Sequence, residues 1–288
     1  MSRNDEIVVH ICSTDTGSQS IYDSVHEAVD NYWENAESIG SEQYNNYRKI
    51  WTNNQKKLDR LEEKYGPSKS SKPLIKSGIF SIDWPEYYEK IQNDMFHSFA
   101  GRIELLSIAH NYFSENAHFS EMDQIQRREI AGIATSNQNG STIGWGWFGS
   151  MVGAGKFQNR INDNNEFISQ ALDAIPLQDR VYKSNYLDFV SLFKRAFPDG
   201  GSGVAIASRL LTMKRPDYFV CLDKQNRPKL CEEFGIAKTV SFAGYWDDII
   251  ERIHDSIWWS SERPSDGIEL LAWKGRSAML DAIFYEEQ

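Results

Sequence analysis

The sequence has few cysteines, no overall excess of positive charge and no long apolar run. Its 288 residues include 3 cysteines, Cys12, Cys221 and Cys231, whose spacing matches no metal motif. We therefore predict no metal site and a reduced, cytoplasmic compartment. No apolar run is long enough to span a membrane, and the N-terminus lacks the apolar core of a signal peptide. A membrane partner is not expected.

The net charge of −10 argues against a protein that coats nucleic acid over its whole surface. The charge is unevenly distributed. Residues 156–229 contain 12 lysines and arginines but 8 aspartates and glutamates, so this segment carries +4 and the remainder carries −14. The segment is basic enough to permit contact with DNA phosphates, although a cluster of this kind is more often a solvated surface.

Apolar residues recur at helical spacing through much of the chain, which predicts a mostly α protein with minor extended segments near the N-terminus. A stretch rich in Gly, Pro and Ser, residues 66–73, is predicted to be a linker. It separates an N-terminal helical segment, 1–66, from a core at 74–288. Within that core we predict extended chain at 75–84 and one long helix from about Pro85 to Glu115.

Two helical patterns meet at a glycine-rich turn within residues 184–235. The large apolar residues of the first pattern share one helical face: Tyr186, Phe189, Val190, Phe193 and Phe197. Pro198 and the following glycines end this helix, and a second helix with small side chains starts near Ala205. Such a turn leaves backbone N–H groups at a helix N-terminus, where they can hold a phosphate.

The run Gly201-Ser202-Gly203-Val204-Ala205-Ile206-Ala207 resembles the G-x-G-x-x-[TS]-A hairpin of the helix-hairpin-helix (HhH-GPD) superfamily of DNA glycosylases. In that superfamily an aspartate follows the hairpin at a nearly fixed distance, after an apolar approach. Here Tyr218-Phe219-Val220-Cys221-Leu222 leads into Asp223 at the matching spacing. The resemblance covers about 50 of the 288 residues. It implies a two-lobed helical bundle, with the hairpin at 184–213, that flips a base out of DNA.

The resemblance also implies a catalytic role for Asp223. A carboxylate beside the sugar stabilises the cation that forms as the glycosidic bond breaks, and it orients or deprotonates water. Members that also cut the strand use a lysine in the hairpin helix, and the matching position here is Ala205. A monofunctional enzyme that leaves an abasic site is therefore implied. Considered without the resemblance, Asp223 is in a good position to be the N-cap of the helix that follows it, and both roles can hold because a cap would also orient the carboxylate.

DNA, most simply double-stranded, is the implied partner. Gly201, Ser202 and Gly203 would offer backbone amides to a phosphate, and in relatives this turn also helps to hold a monovalent cation. Further contacts with the DNA backbone are predicted for Arg209, Lys214 and Arg227. Some relatives carry an iron–sulfur cluster bound by four cysteines. This sequence lacks those four cysteines, so a cluster of that kind is not expected. Because some prokaryotic members look suited to stripping modified bases from phage DNA, antiviral defence is one hypothesis within this expectation.

A second unusual stretch, residues 139–157, is rich in glycine and aromatic residues. Its two tryptophans, Trp145 and Trp147, have two interpretations. Either they pack a flexible glycine loop, or their rings stack on a flipped base or fill the gap it leaves.

Two functions of other classes stay open. A restriction-type nuclease needs clustered carboxylates and a lysine to hold magnesium, and it would break phosphodiester bonds only with that metal. A non-catalytic hairpin module would dock on DNA or on a partner protein, and it would keep its function after Asp223 is replaced by Asn.

Overall fold

The structure, a computed structural model, describes residues 78–94, 96–133 and 143–285. In these ranges the chain forms helices joined by loops and contains no β-strand, which confirms the mostly α fold class. The helices are α1 (Gly78–Ser81), α2 (Trp84–Gln92), α3 (Phe99–Glu115), α4 (Gln124–Ile130), α5 (Gly155–Asn162), α6 (Glu166–Asp173), α7 (Lys183–Arg195), α8 (Val204–Lys214), α9 (Arg227–Glu233), α10, α11 (Gly267–Lys274) and α12 (Leu280–Phe284). A 3₁₀ helix, Phe119–Glu121, precedes α4, and α10 comprises the consecutive segments Phe242–Gly244, Tyr245–Ile250 (π-helical) and Glu251–His254.

The chain divides into two compact units between Pro73 and Leu74, and the described residues all belong to the second. The predicted helical segment at 1–66 and the predicted linker lie outside the described residues. From Gly78 onward the prediction of extended chain is wrong, because Gly78–Ser81 is helical. Asp83 then caps α2 by accepting a hydrogen bond from Glu86 N at 3.1 Å.

The single helix predicted from Pro85 to Glu115 is two helices, α2 and α3. Two short polar side chains interrupt it. Asp94 Oδ1 accepts hydrogen bonds from the amides of Phe96 and His97, and Ser98 Oγ accepts one from Gly101 N at 3.2 Å. Local hydrogen bonds of this kind compete with helix continuation, so the chain turns between the two helices.

The aromatic face predicted for the first hairpin helix is confirmed in α7. Its members at positions 186, 189, 190 and 193 are all buried, and the Phe189 and Phe193 rings stack with centroids 5.4 Å apart. Phe197 is buried as well, although α7 ends at Arg195. Rings of this face contact α10, where Tyr186 stacks on Trp246, and α7 also packs against α6.

α8 is a central helix of the unit. Every residue from Ile206 to Lys214 is buried, and the helix contacts α3, α4 and α6. The small side chains of Ala207 and Ser208 allow neighbouring segments to approach closely. A helix surrounded by protein has no solvated face. Ser208, Arg209 and Lys214 therefore donate hydrogen bonds to carbonyls inside the protein, whereas Thr212 Oγ1 and Arg209 Nη1 have no partner among the described residues.

His254, at the end of α10, is a neutral histidine in an aromatic cluster. Its ring stacks on Trp259 with centroids 4.2 Å apart, and its Nε2 donates to Tyr218 O at 3.3 Å. Burial is the main cause that lowers the pKa of His254 from 6.5 to about 4. The folded pKa is below the unfolded one, so His254 stabilises the fold above pH 6.5, and that contribution is lost as the pH falls toward 4.

We expect His254→Phe to weaken the loss of stability on acidification. Between pH 7 and 4.5 the wild type should lose about 2 to 3 kcal/mol more unfolding free energy than the variant, measured by urea denaturation at both pH values. Asn111→Ala, which changes an exposed and non-titratable side chain of α3, is the control and should follow the wild type. Equal losses in wild type and His254→Phe would contradict the assignment of this pH dependence to His254.

Candidate functional site around Asp223

Asp223 lies at the end of a buried segment without regular secondary structure. Residues 219–222 are fully buried. Tyr245 OH in α10 donates to Val220 O at 2.7 Å, and Leu222 N donates to Ser208 Oγ in α8 at 3.0 Å. The segment is therefore held between two helices, which fixes the point where Asp223 leaves the core.

The carboxylate of Asp223 is oriented by the turn that follows it. Its Oδ1 accepts hydrogen bonds from the backbone amides of Gln225 at 2.9 Å and Asn226 at 3.0 Å. Its Oδ2 accepts none from the described residues. Asp223 is not the N-cap of α9, because that position belongs to Asn226, three residues later. The prediction that Asp223 is the N-cap is thus wrong. The carboxylate nevertheless accepts hydrogen bonds from backbone amides, as a capping residue would.

The environment of Asp223 favours the protonated form of its carboxyl group, compared with the same group in water. The residue keeps only 6% of its surface exposed. Burial is the largest cause that raises the pKa of Asp223, and the negative charge of Asp281 raises it further. The amides of Asn226 and Gln225 and the guanidinium of Arg227 oppose this shift. A carboxyl group with a raised pKa is suited to accept a proton.

The glycine-rich loop predicted as a second unusual stretch packs directly on this site. Gly149 adopts φ +97°, a conformation that favours glycine, and a Cβ placed there would lie 2.5 Å from Cys221 Sγ and 3.4 Å from Asp223 Cβ. Only a residue without a side chain allows this approach. The loop therefore forms one wall of the Asp223 site.

Gly149→Ala is expected to lower the unfolding free energy by about 2 to 4 kcal/mol, because it combines backbone strain with an overlap at a buried sulfur. Urea denaturation measures the loss. Gly153→Ala is the matched control: the added methyl group meets open space, so the change should stay within about 0.5 kcal/mol. Equal stability of the two variants would show that the loop does not pack as described.

The two tryptophans of the loop are packing residues. Trp145 is buried, stacks on Tyr112 with centroids 6.1 Å apart and hydrogen bonds to Glu129. Its predicted role in stacking on a base is wrong, because its ring is already enclosed. Trp147 is half-buried, and its ring lies where side chains at Gly101 and Gly144 would have to be. Stacking by its remaining exposed part stays a prediction.

The turn between α7 and α8 presents its backbone to solvent. Gly201 and Gly203 are exposed and Ser202 is half-exposed, and Gly203 is the N-cap of α8. The sequence predictions missed Lys156, which belongs to the first turn of α5. Its Nζ donates to Asp199 O at 3.0 Å and to Gly200 O at 3.4 Å. A positive charge thus lies beside the exposed turn.

This lysine bears on the monovalent cation that the resemblance implies for the hairpin. The ammonium of Lys156 already faces two carbonyl oxygens of the turn, and the lysine stem packs over Gly201, where a Cβ would be 3.2 Å from Lys156 Cδ. These carbonyls therefore do not fit an additional cation while Lys156 holds its place. The lysine supplies the positive charge instead.

Two of the predicted contacts with the DNA backbone need correction, since both side chains are buried in the central helix α8. Arg209 is fully buried, and its Nε and Nη2 donate to the carbonyls of Ile130 and Glu129 at the end of α4. Lys214 Nζ donates to Leu172 O at 2.7 Å, near the end of α6. Both cations bind carbonyl groups at helix C-termini. Neither side chain reaches the surface that DNA would contact.

Arg227 differs from these two residues. It is half-buried at the first position of α9, its Nη2 donates to Leu222 O at 3.2 Å, and its charge lowers the pKa of Asp223. Its predicted contact with DNA stays a prediction. Of the three predicted basic residues, Arg227 is therefore the one that is not buried and whose charge lowers the pKa of Asp223.

The described residues set limits on what the site contains. They contain no group of three or more His, Cys, Asp or Glu side chains that could hold a metal ion. A cavity of about 400 Å³ lies between α3, the end of α8 and α11, with His110, Lys214 and Trp273 among its lining residues. Asp223 does not line this cavity, so the two features are separate. No helix in the described ranges is long and apolar enough to cross a membrane.

Comparison with known proteins leaves the chain without an assigned family. No family model, curated protein or solved structure matches it. The chemistry of the Asp223 site therefore has to be inferred from its own geometry.

Proposed function

We propose that this protein is a monofunctional DNA glycosylase, which flips out a modified or damaged base and hydrolyses its N-glycosidic bond to leave an abasic site. The arrangement of Asp223 carries the proposal. Two backbone amides hold Oδ1, while Oδ2 receives no hydrogen bond from the described residues. A carboxylate fixed through one oxygen is able to direct the other at a developing positive charge.

Such a carboxylate has two roles in the reaction. As the bond from C1′ of the sugar to the base nitrogen breaks, the electron pair leaves with the base and C1′ becomes positive. The negative charge of Asp223 stabilises that cation. Water then adds to C1′ and gives up a proton, which the raised pKa of Asp223 equips it to accept.

The nucleophile in this proposal is water and not a lysine. The position at which bifunctional relatives carry the Schiff-base lysine is Ala205 here. The sole lysine of α8 is Lys214, at the opposite end of the helix, and its Nζ is engaged by Leu172 O. α8 thus contributes no lysine at its hairpin end, and the nearby ammonium of Lys156 is engaged by two carbonyls of the turn, which supports hydrolysis without strand cleavage.

The exposed turn supports DNA as the partner. Amides at the start of α8 and the ammonium of Lys156 together suit a phosphate of the DNA backbone. Arg227 adds a second positive charge beside Asp223. Phosphate contact at the turn would hold the strand while the flipped nucleotide meets the carboxylate.

The test is an assay for abasic sites. Duplexes that carry damaged, normal or phage-modified bases are incubated with the protein in EDTA and then heated with alkali, which cuts the strand at abasic sites. Alkali-dependent cleavage of at least one duplex is expected. No alkali-labile site on any substrate would refute the proposal, and cleavage that appears only with magnesium and without alkali would favour the nuclease. Cleavage confined to phage-modified bases would support the defence hypothesis.

Lys156→Met is expected to weaken binding to duplex DNA about 5- to 10-fold at moderate salt and to lower the slope of log affinity against log salt by about 1, as for the loss of one phosphate contact. Fluorescence anisotropy of a labelled duplex at several salt concentrations measures both. Lys90→Met, which removes an exposed lysine of α2 paired with Glu86, is the control and should bind like the wild type. Unchanged salt dependence in Lys156→Met would exclude this lysine from the DNA contact.

A further inference from the structure

A chain of buried polar side chains links Asp223 to α12, far away in sequence. Asn226 is fully buried, and both the oxygen and the NH₂ group of its carboxamide form hydrogen bonds. Its Oδ1 accepts a hydrogen bond from Asp223 N at 3.1 Å. Its Nδ2 donates to Cys221 O at 2.8 Å and to Asp281 Oδ1. The side chain of Asn226 thereby connects the segment that precedes Asp223, the turn that follows it and helix α12.

The carboxamide of Asn226 has one workable orientation. If it were rotated by 180°, its oxygen would face the carbonyl of Cys221 and the carboxylate of Asp281, both of which are acceptors. Its NH₂ group would face the amide of Asp223, which is a donor. Every contact would be lost in a site without water access, and each buried unpaired group costs about 1–3 kcal/mol. Asp281 and the carbonyl of Cys221 together therefore determine which end of Asn226 meets Asp223.

Asp281 is itself held in place by α3. Its Oδ2 accepts a hydrogen bond from Arg102 Nη1 at 2.7 Å, and Arg102 Nε donates to Asp94 Oδ2 at 2.6 Å. All three side chains are fully buried. Arg102 Nη1 also donates to Trp147 O at 2.9 Å. The glycine loop that walls the Asp223 site is thus tied to the same network.

We infer that Asn226 and Asp281 are positioning residues for Asp223: Asp281 fixes the carboxamide of Asn226, and Asn226 fixes the backbone and turn that present Oδ2 of Asp223 to the reacting sugar. This role rests on the proposed function where it concerns the sugar. The orientation of Asp223 itself is a separate property and is measurable without a substrate.

The charged groups around this network make the pKa of Asp223 a measure of its contact with Asp281. The charged or titratable groups that interact with the carboxyl of Asp223 are Asp281 from α12, Arg227 from α9, Arg209 from α8 and Cys221 from the preceding segment. Those that interact with Asp281 include Arg102 from α3 and Asp94 from the α2–α3 loop. Of these groups, Asp281 is the acid that raises the pKa of Asp223. Replacement of Asp281 by Asn keeps an oxygen that can accept from Asn226 but removes the charge, so the pKa of Asp223 should fall.

The first experiment titrates the carboxyl carbon of Asp223 by ¹³C NMR in wild type and Asp281→Asn, with the signal assigned by its loss in Asp223→Asn. The titration midpoint should move to lower pH in Asp281→Asn. A midpoint that stays or moves to higher pH would overturn the inference, because the charge of Asp281 would then not reach Asp223 as the contact through Asn226 requires. Asp188→Asn, at an exposed site of α7, is the control for loss of one acid.

The second experiment measures single-turnover base release by Asn226→Ala under saturating DNA and half-saturating DNA. The maximal rate should fall about 10- to 100-fold with little change in half-saturation, as expected when catalytic geometry and not binding is lost. A maximal rate within twofold of wild type would overturn the inference. If Asn226→Ala does not fold, Asn226→Ser replaces it, since the hydroxyl keeps an acceptor near Asp223 N but is too short to span to Asp281. Asn159→Ala, on the exposed side of α5, is the control.

These two readouts separate the inference from the proposed function. If wild type releases no base from any duplex, the glycosylase proposal fails, and the NMR titration still decides whether Asp281 acts on Asp223. If wild type releases bases while Asn226→Ala and Asp281→Asn behave like wild type in both experiments, the proposed function stands and the positioning role is refuted.

Discussion

Asp223→Asn is expected to slow base release on the order of 10³-fold without loss of the fold or of DNA binding. The substitution removes the negative charge that stabilises the sugar cation and the group that accepts a proton from water. The remaining amide oxygen still accepts hydrogen bonds from the amides of Gln225 and Asn226, so the turn is preserved. Single-turnover assays on the best substrate, with alkali treatment of each time point, measure the rate.

The control for Asp223→Asn is Asp188→Asn, which removes an exposed carboxylate of α7 and should leave the rate unchanged. Fluorescence anisotropy should give the same duplex affinity for all three proteins within about twofold, below the ~1.4 kcal/mol that a tenfold change represents. Base release by Asp223→Asn at the wild-type rate would remove this residue from the chemistry. If the wild type binds DNA but releases no base, the non-catalytic module becomes the better description.

Arg102→Met is the substitution with the largest expected effect on stability. Arg102 pairs with Asp94 and Asp281, and no part of the three side chains is exposed. Its loss leaves two carboxylates buried without their cation, which should lower the unfolding free energy by about 3–5 kcal/mol at neutral pH. Urea denaturation measures the loss, and acidification should reduce it, because burial raises the pKa of Asp281 and its protonation removes an unpaired charge.

Lys90→Met provides the surface counterpart to Arg102→Met. Lys90 and Glu86 form an ion pair at 3.4 Å with about half of each side chain exposed. Exposed pairs of this type contribute roughly 0–1 kcal/mol because water screens them. If Arg102→Met were no more destabilising than Lys90→Met, the buried network would not contribute to stability as described.

The parts of the fold that follow from local periodicity were predictable. The aromatic stripe of α7 is an example, since its spacing of three and four residues places the side chains on one face and that face is buried. Breaks within helical patterns were harder to locate. The prediction of one helix from Pro85 to Glu115 overlooked Asp94 and Ser98, whose side chains bind backbone amides between α2 and α3.

The charged residues of α8 show a different limit. Arg209 and Lys214 follow a glycine turn in a locally basic segment, a pattern that fits DNA contact as well as it fits burial. What decides between the two is whether other helices cover α8 on all sides, and this depends on the packing of α3, α4 and α6 around it. Gly149 is different, because a glycine among bulky aromatic residues often marks a close approach of two segments, and the sequence therefore does carry a signal for this wall of the site.

The resemblance predicts Asp223 as the site carboxylate after the hairpin. It does not predict which residues surround that carboxylate. Asn226 is three residues away and was within reach of local reasoning, because reciprocal side-chain and amide pairs of the capping-box type have that spacing. Asp281 carries no such signal. It is 55 residues from Asn226 and 179 from Arg102, and only the folded chain brings the three together.

The pairing of Arg102 with Asp281 has a consequence for the order of folding. Contacts between residues so distant in sequence form only after a long loop has closed, which makes them slow relative to local helix formation. Helices α7 and α8 are able to assemble with their neighbours before α12 docks, so Asp223 is expected to gain its fixed orientation in one of the last steps. In refolding experiments, helical circular dichroism should therefore recover before the Asp223 carboxyl signal reaches its native position.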